Sequence, residues 1–367
     1  MREGASWDNV SDGEGDPEQE RRLAAEQEAE GLDEELEDTG PKDWQRFYMG
    51  YHQRFVDACV LELRGGRTVV RLAQAPSAKC TARKGTGSSG AGGKGGKGGK
   101  GAGRLELDKA SDPALTGTTV WDGAVVLSHY LTESGALSRP PERPYAYSGG
   151  SLPTVLELGA GTGAVSLALA ATRCAASVTV TDLADLLPHL RVNASANAAL
   201  LPPGRVHLAP LRWGQEGEED VQRLSPVRPP FDVIVGSDLI YYTFTPATPH
   251  SALLLWTLRR LAGPHTTVFL SLSLHHNPEE VESFLQRAAP FFHVLRLRRS
   301  IPEEWRVPDV LVVRLTPRRQ RGRSQEGEGE GAGGGQGQGQ GKGEVEADGA
   351  GPVEEVDGVE AVAEAQV

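Results

Sequence analysis

A glycine-rich turn follows a short apolar run in the middle of the sequence. The run Val155–Leu158 ends at Gly159, and Gly161 and Gly163 occupy alternate positions after it. Glycine tolerates positive φ and lets the backbone approach a ligand closely, so this spacing is typical of a strand-to-helix turn that binds a nucleotide-type cofactor. The pattern also satisfies the dinucleotide motif G-x-G-x-x-G/A, and a nicotinamide dehydrogenase therefore stays open at this point.

Two acidic residues near the turn favour a different cofactor. Glu157 lies inside the apolar run, where a carboxylate is costly unless it meets a donor or a cation, and where it would repel a pyrophosphate. Asp182 ends the next β-rich run, where a carboxylate is able to accept hydrogen bonds from both ribose hydroxyls. Together with the glycines, these acids predict a site for S-adenosylmethionine, which carries cationic sulfonium and ammonium groups.

A third acid follows a further apolar run. The segment Phe231–Ser237 is typical of a buried strand, and Asp238 and Tyr241 come after it. In open α/β sheets, ligands lie beyond the carboxyl ends of the strands. We therefore expect Asp238 to share one crevice with Asp182 and the glycine turn at Gly159.

Short apolar runs alternate with helical segments from residue 154 onward. Seven strands are predicted, at Thr154–Leu158, Ser177–Thr181, Arg205–Leu211, Phe231–Ser237, Thr266–Leu274, Phe292–Arg298 and Asp309–Leu315. Four helices are predicted between them, at Ala164–Ala171, Leu183–Leu200, Ser251–Leu261 and Pro278–Ala288. This alternation predicts an α/β protein with a doubly wound, Rossmann-like sheet of seven strands. Because no helix separates the last two strands, we predict that this pair is antiparallel.

The sequence before the sheet predicts two further elements. Gly65 and Gly66 are a turn signature, and they predict a β-hairpin within Phe55–Ala73. Val120, Ala124, Leu127 and Leu131 follow helical spacing, which predicts a helix over Thr119–Leu131.

Three segments of biased composition surround one folded domain, predicted to span residues 44–318. Residues 1–43 are acidic, and although Pro17–Glu37 has a helix-forming composition, it has too few apolar residues to bury, so we predict disorder there. A glycine–lysine insert occupies about 82–103, and a Gly/Glu/Gln tail occupies 319–367.

Composition argues against several classes of protein. The net charge of −12 disfavours a nucleic-acid partner, and no apolar stretch is long enough for a membrane span. Cys59, Cys80 and Cys174 are too far apart for a disulfide framework or a metal pair, and the acidic N-terminus does not resemble a signal peptide. We therefore expect a soluble cytoplasmic monomer without a bound metal.

Several segments carry a resemblance to a known family. They are residues 120–124 (Val-Trp-Asp-Gly-Ala), 211–214 (Leu-Arg-Trp-Gly), 180–197 and the Asp238-x-x-Tyr241 element. They resemble the seven-β-strand protein-lysine methyltransferases of the methyltransferase-like 21 group. Within that group the likeness is greatest to the type that methylates valosin-containing protein, an AAA ATPase chaperone.

The resemblance implies S-adenosylmethionine-dependent N-methylation of a lysine in an intracellular protein, and it implies roles for individual residues. The implied cofactor contacts are Trp121, Glu157, Gly159, Ala160, Gly161, Asp182, Leu183, Trp213, Ser237 and Tyr242. Trp213 would lie against the adenine. Asp238 would orient the incoming lysine amine, and Tyr241 would line the channel through which that amine enters.

The sequence departs from the family after the fifth strand. Relatives often carry a Tyr-Glu-x-Arg-like element there, whereas this chain has Ser273-Leu274-His275-His276-Asn277-Pro278, which leaves the substrate open. We interpret the two histidines as part of a turn before a helix and not as metal ligands. The alternatives are a non-catalytic S-adenosylmethionine-binding scaffold and a methyltransferase for protein histidine or a small molecule.

Overall fold

The protein is described by a computed structural model over residues 16–30, 57–74, 117–137, 152–241, 250–274 and 277–318. Within these ranges, strands β1 (Ala58–Leu63) and β2 (Thr68–Ala73) pair as an antiparallel hairpin. The main sheet contains β3 (Thr154–Leu158), β4 (Ser177–Asp182), β5 (Val206–Pro210), β6 (Val233–Ser237), β7 (Thr267–Ser273), β8 (Phe292–Leu297) and β9 (Val310–Pro317). Its strand order is β5-β4-β3-β6-β7-β9-β8.

The sheet confirms the predicted fold class. Strands β3 to β7 are mutually parallel, and β9 is antiparallel to both β7 and β8. The last strand therefore inserts between its two predecessors, which makes the last pair antiparallel. Because β4 and β6 lie on opposite sides of β3, the strand order reverses at the end of β3, where α/β proteins bind their ligands.

Helices cover both faces of the sheet. They are α1 (Pro17–Ala29), α2 (Asp122–Glu133), α3 (Ala164–Ala171), α4 (Leu187–Ala196), α5 (Glu218–Arg223), α6 (His250–Leu261) and α7 (Pro278–Ala288). Neighbouring residues of one strand serve opposite faces: Val155 packs in the cluster that contains α2 and α3, and Leu156 in the cluster of α6 and α7. Burial on both faces explains why the strands are almost continuously apolar.

The hairpin is attached to α4 by two asparagines one helical turn apart. The Asn193 side chain accepts from the Ala73 amide (2.7 Å) and donates to the Ala73 carbonyl (3.3 Å). The Asn197 side chain pairs with Arg71 in the same way, at 3.0 and 2.7 Å. These carboxamides satisfy the free backbone edge of β2 as a third strand would.

The predicted turn of the hairpin is present, and it contacts α2. Gly65 and Gly66 adopt positive φ of 64° and 78°. Beside them, the Arg64 amide donates to Glu133 Oε1 (2.7 Å), and the Arg64 Nε donates to the Thr132 carbonyl (3.1 Å). The hairpin is therefore held against the C-terminal end of α2.

The structure differs from the sequence predictions in three places. Within the segment for which we predict disorder, residues 17–29 form α1, which is ion-paired with Arg314 and Arg318. The helix predicted at Leu183–Leu200 is a short 3-10 turn followed by α4. Helix α5, which carries few apolar residues, was not predicted. The 82–103 insert and the 319–367 tail lie outside the described residues.

None of the helices in the described ranges is long and apolar enough to cross a membrane. In the same part of the chain, no three His, Cys, Asp or Glu side chains are grouped so that they would hold a metal ion.

Candidate active site

The glycine turn connects β3 to α3 in a conformation that favours glycine at three positions. The φ angles of Gly159, Gly161 and Gly163 are 56°, 55° and 79°, all in the left-handed region. The turn is tied to the neighbouring strand, because the Ala160 amide donates to the carbonyl of Thr181 (3.0 Å). The alternate glycines found in the sequence thus correspond to the backbone that this turn requires.

The first two glycines also have no room for a side chain. A Cβ at Gly159 would lie 2.7 Å from Leu239 Cδ2 and 3.0 Å from Trp213 Cζ2, and a Cβ at Gly161 would lie 2.8 Å from the Gly117 carbonyl oxygen. Close packing against Leu239 and the Gly117 backbone therefore requires glycine at both positions. Trp213, the predicted adenine neighbour, lies beside Gly159, and its contact with a cofactor stays a prediction.

Asp182 stands at the end of β4, directly beside this turn. Its Oδ2 accepts from the Gly161 amide and its Oδ1 from the Leu183 amide, both at 2.7 Å. Burial raises the pKa of Asp182, while these two hydrogen bonds act to lower it. Each carboxylate oxygen has more than one acceptor position, so both retain capacity for the hydroxyls of a ribose. Leu183 is 39% exposed, and its contact with a cofactor stays a prediction.

Glu157 has a partner inside the protein. Its side chain is buried, and Oε2 accepts from the amide of Ser166 in the first turn of α3 (3.0 Å). Burial raises the pKa of Glu157 to about 8, against the lowering effect of the Ser166 hydrogen bonds, and the nearby Asp182 charge adds to the rise. The carboxyl thus supports the glycine turn from beneath, and a contact between Glu157 and the cofactor stays a prediction.

Asp238 adopts a φ of 53°, which is uncommon for a residue other than glycine. Its Oδ1 accepts from the Ser273 amide (2.9 Å) and the Ser273 hydroxyl (2.5 Å). Its Oδ2 accepts from the Gly123 amide (2.9 Å). Burial raises the pKa of Asp238, and the hydrogen bonds from Ser273 and Gly123 oppose that rise. The carboxylate therefore connects the ends of β6 and β7 to the start of α2.

The remaining predicted residues lie close to this connection in the chain or the sheet. Trp121 is the half-buried N-cap residue of α2, and Ser237 ends β6 beside Ser271 of β7. Tyr241 is half-buried, and Tyr242 lies outside the described residues, as do His275 and His276.

A histidine that the sequence did not suggest lies next to Tyr241. The ring centroids of Tyr241 and His250 are 5.9 Å apart, at an interplanar angle of 49°. Burial lowers the pKa of His250, which favours the neutral imidazole at neutral pH. No sequence motif points to this residue, because it begins α6 and meets Tyr241 only through the fold.

The crevice accordingly fits S-adenosylmethionine. The turn at Gly159 and Gly161 lies at the carboxyl end of β3, where the strand order reverses, and Asp182 provides acceptors at the end of the adjacent strand. Fold and site together define a Rossmann-like methyltransferase of the S-adenosylmethionine-dependent class.

Comparison with known proteins identifies the family. A family model described as "Lysine methyltransferase" matches residues 104–290, just over half of the chain. Mouse EEF1A lysine methyltransferase 3 is 34% identical over 176 residues, which cover 48% of this chain and 63%, less than two thirds, of that protein. Mouse protein N-lysine methyltransferase METTL21A is 35% identical over 210 residues, 55% of this chain and 78% of that protein. The chain belongs to the lysine methyltransferase family.

Similarity to solved structures is weaker. An O-methyltransferase family protein from Burkholderia thailandensis aligns with a TM-score of 0.37 and 13% identity, over 52% of this chain and 55% of that protein. A TM-score and a sequence identity this low support no conclusion about function.

Proposed function

We propose that this protein transfers a methyl group from S-adenosylmethionine to the ε-amine of a lysine in another protein. The observation that carries the proposal is the hydrogen bond from the Gly161 amide to Asp182, which sets a carboxylate beside the glycine turn at the point where the strand order reverses. Membership of the lysine methyltransferase family supports the choice of a lysine acceptor.

The cofactor supplies an electrophilic methyl group, which the acceptor attacks from the side opposite the sulfur. The chain must align the acceptor and exclude water. Asp182 and the glycine turn would hold the ribose and the amino-acid portion, and Trp213 would pack against the adenine. A lysine amine has a pKa near 10.4 in water, so it must lose a proton before it attacks, and a desolvated channel favours that loss.

Asp238 would orient the lysine amine while also holding α2 in place. Its Oδ1 already accepts two hydrogen bonds and its Oδ2 accepts one, so the free acceptor capacity lies on Oδ2. Tyr241 would line the channel, and the neutral His250 beside it would receive the amine proton or pass it to solvent.

Two protein substrates follow from the similarities. The name of one relative points to elongation factor 1A, and the resemblance of the sequence motifs points to an AAA ATPase chaperone of the valosin-containing type. We propose that the reaction takes place in the cytoplasm and that the protein acts as a monomer.

Tritiated S-adenosylmethionine tests this function on both substrates. We expect label on a lysine of one of them with the full chain, and none with the Asp182→Ala variant. Cofactor binding with no labelled lysine in either protein or in whole lysate would favour the non-catalytic scaffold instead. Label on a histidine or on a small molecule would select the remaining alternative.

A further inference from the structure

Helix α1 lies over the β8–β9 end of the sheet with a polar stripe facing inward. Its half-buried positions follow helical spacing. They are Asp16, Gln19, Leu23, Glu26, Gln27 and Glu30, the last directly after the end of the helix. Leu23 is the only apolar member of that stripe, and no side chain of the helix is fully buried. Apolar burial therefore contributes little to holding this helix in place.

The end of the helical segment occupies an anion-binding turn. One oxygen of Glu30, Oε2, accepts from three successive backbone amides, those of Arg298 (2.9 Å), Arg299 (2.9 Å) and Ser300 (3.3 Å). Consecutive amides that converge on one point form a nest, which is a general receptor for a carboxylate or another anion. The turn after β8 is thus shaped to bind an acid.

Two arginines on the sheet extend this surface. Glu26 is ion-paired with Arg314 of β9, and Glu20 with Arg318 at 2.5 Å. Arg314 is only 9% exposed, so this guanidinium is fixed within the sheet layer. The nest at residues 298–300, with Arg314 and Arg318, forms one continuous surface for acidic side chains, which we term the acid-binding face.

The acid-binding face lies near the candidate active site. Because β9 is antiparallel to both β7 and β8, strand β8 runs parallel to β7, and their carboxyl ends lie at the same edge of the sheet. Only β9 separates them, so the nest after β8 is on the order of 10 Å from the end of β7. The end of β7 carries Ser273, which donates to Asp238.

We propose that the acid-binding face docks an acidic helical segment of the protein substrate, and that α1 occupies it in cis as a competitor. The inference rests on the proposed function, since it assumes a protein acceptor. Charge complementarity carries it: the face presents three amides and two guanidinium groups, and its present occupant contributes three glutamates. The exposed Glu20–Arg318 pair is individually weak and no side chain of α1 is fully buried, so α1 is exchangeable for a partner that also supplies an acid to the largely buried Arg314.

Hydrogen exchange on the full chain tests whether Glu30 holds the nest. We expect the Glu30→Gln variant to increase the exchange rates of the Arg298–Ser300 amides about tenfold, because the charge that the amides bind is lost. Glu28→Gln makes the same charge change on an exposed residue of the same helix and is the matched control. Equal exchange rates in the two variants would overturn the assignment of the nest.

A labelled peptide with the sequence of residues 16–30 tests whether the face accepts an acidic helix in trans. We expect a full chain carrying Glu26→Gln and Glu30→Gln to bind this peptide about tenfold more tightly than the unmodified chain, because α1 then competes less well. The control chain carries Glu18→Gln and Glu28→Gln, two exposed positions, and should match the unmodified chain. Adding Arg314→Gln and Arg318→Gln should abolish binding. No binding to any of these chains would overturn the proposal.

The same peptide separates this inference from the proposed function. If the face docks substrate, the peptide should raise the KM for a methylated protein acceptor and leave kcat unchanged, and a peptide that binds without altering KM would overturn the docking role. Absence of methyl transfer to any protein would instead contradict the proposed function, and with it the docking role. The exchange and binding measurements would still decide whether α1 occupies the acid-binding face.

Discussion

The carboxylate of Asp238 accepts a hydrogen bond from the amide of Gly123, 2.9 Å away in space and 115 residues earlier in the chain. The contact is so close that a Cβ at Gly123 would lie 2.6 Å from Asp238 Oδ2. The hydroxyl of Ser271 also donates to the Gly123 carbonyl (2.8 Å), so the first turn of α2 is fixed at both backbone groups. The side chain proposed to orient the lysine therefore also organises the strand ends around it.

Replacing Asp238 with Asn should destabilise the protein as well as slow the reaction. One oxygen becomes an NH₂ group, and either orientation of the amide places that donor against a backbone N–H, of Gly123 or of Ser273. We expect a loss of about 1–3 kcal/mol in the free energy of unfolding, measured by urea denaturation.

The backbone itself does not confound this substitution. Asn tolerates the positive φ of 53° at this position, as Asp does. An unchanged free energy of unfolding together with reduced turnover would mean that the carboxylate contacts the acceptor without holding α2.

Asn193 should couple the hairpin to the cofactor site, and Asn197 should not. Besides its contacts with Ala73, the Asn193 side chain donates to the Thr162 carbonyl inside the glycine turn (2.9 Å). We expect Asn193→Ala to weaken S-adenosylmethionine binding about tenfold or more, measured by calorimetry.

The matched control is Asn197→Ala, which removes equivalent hairpin contacts with Arg71 but none with the glycine turn. Both variants should lose about 1–3 kcal/mol of stability, because each leaves backbone groups of β2 unpaired. Equal cofactor affinity in the two variants would refute a role for Asn193 in the turn.

The buried Glu157 carboxyl should make stability depend on pH in the absence of cofactor. Burial raises its pKa from 4.5 to about 8, so between these values the folded protein retains a proton that the unfolded chain has released. Its contribution is fully present below about pH 4.5 and is lost as pH rises through about 8. Glu157→Gln should remove that part of the loss, on the order of a few kcal/mol.

Urea denaturation at acidic and at mildly alkaline pH measures this effect. Glu62→Gln, at an exposed position of β1, is the control and should keep the pH dependence of the unmodified chain. A Glu157→Gln variant with the same pH dependence would mean that the carboxyl is ionised in the folded state.

The sheet was predictable because short apolar runs recur along the sequence, separated by helical segments. Strands such as β3 and β6 are apolar on both faces and are followed by glycines or acids, so their positions and the crevice at their ends follow from chain order alone. The hairpin turn was predictable for a similar reason, since Gly65 and Gly66 supply the positive φ that it needs.

The other features depend on contacts between distant segments. The hydrogen bonds of Asp238 with Gly123 and Ser273 join three elements. No spacing in the sequence predicts these hydrogen bonds. The same holds for His250 beside Tyr241. Helix α1 looked too polar to fold because its partners, Arg314 and Arg318, lie almost 300 residues away, as the separations of 288 and 298 show.

Calorimetric titration with S-adenosylmethionine tests most directly whether the glycine turn and Asp182 form the cofactor site. We predict that the full chain binds S-adenosylmethionine and not NAD, and that Asp182→Ala weakens binding about a hundredfold or more, because two ribose hydroxyls lose their charged acceptor. Asp185→Asn, an exposed acid three residues further on, should bind like the unmodified chain. Binding of NAD alone, or equal S-adenosylmethionine affinity in the Asp182→Ala variant, would contradict the account.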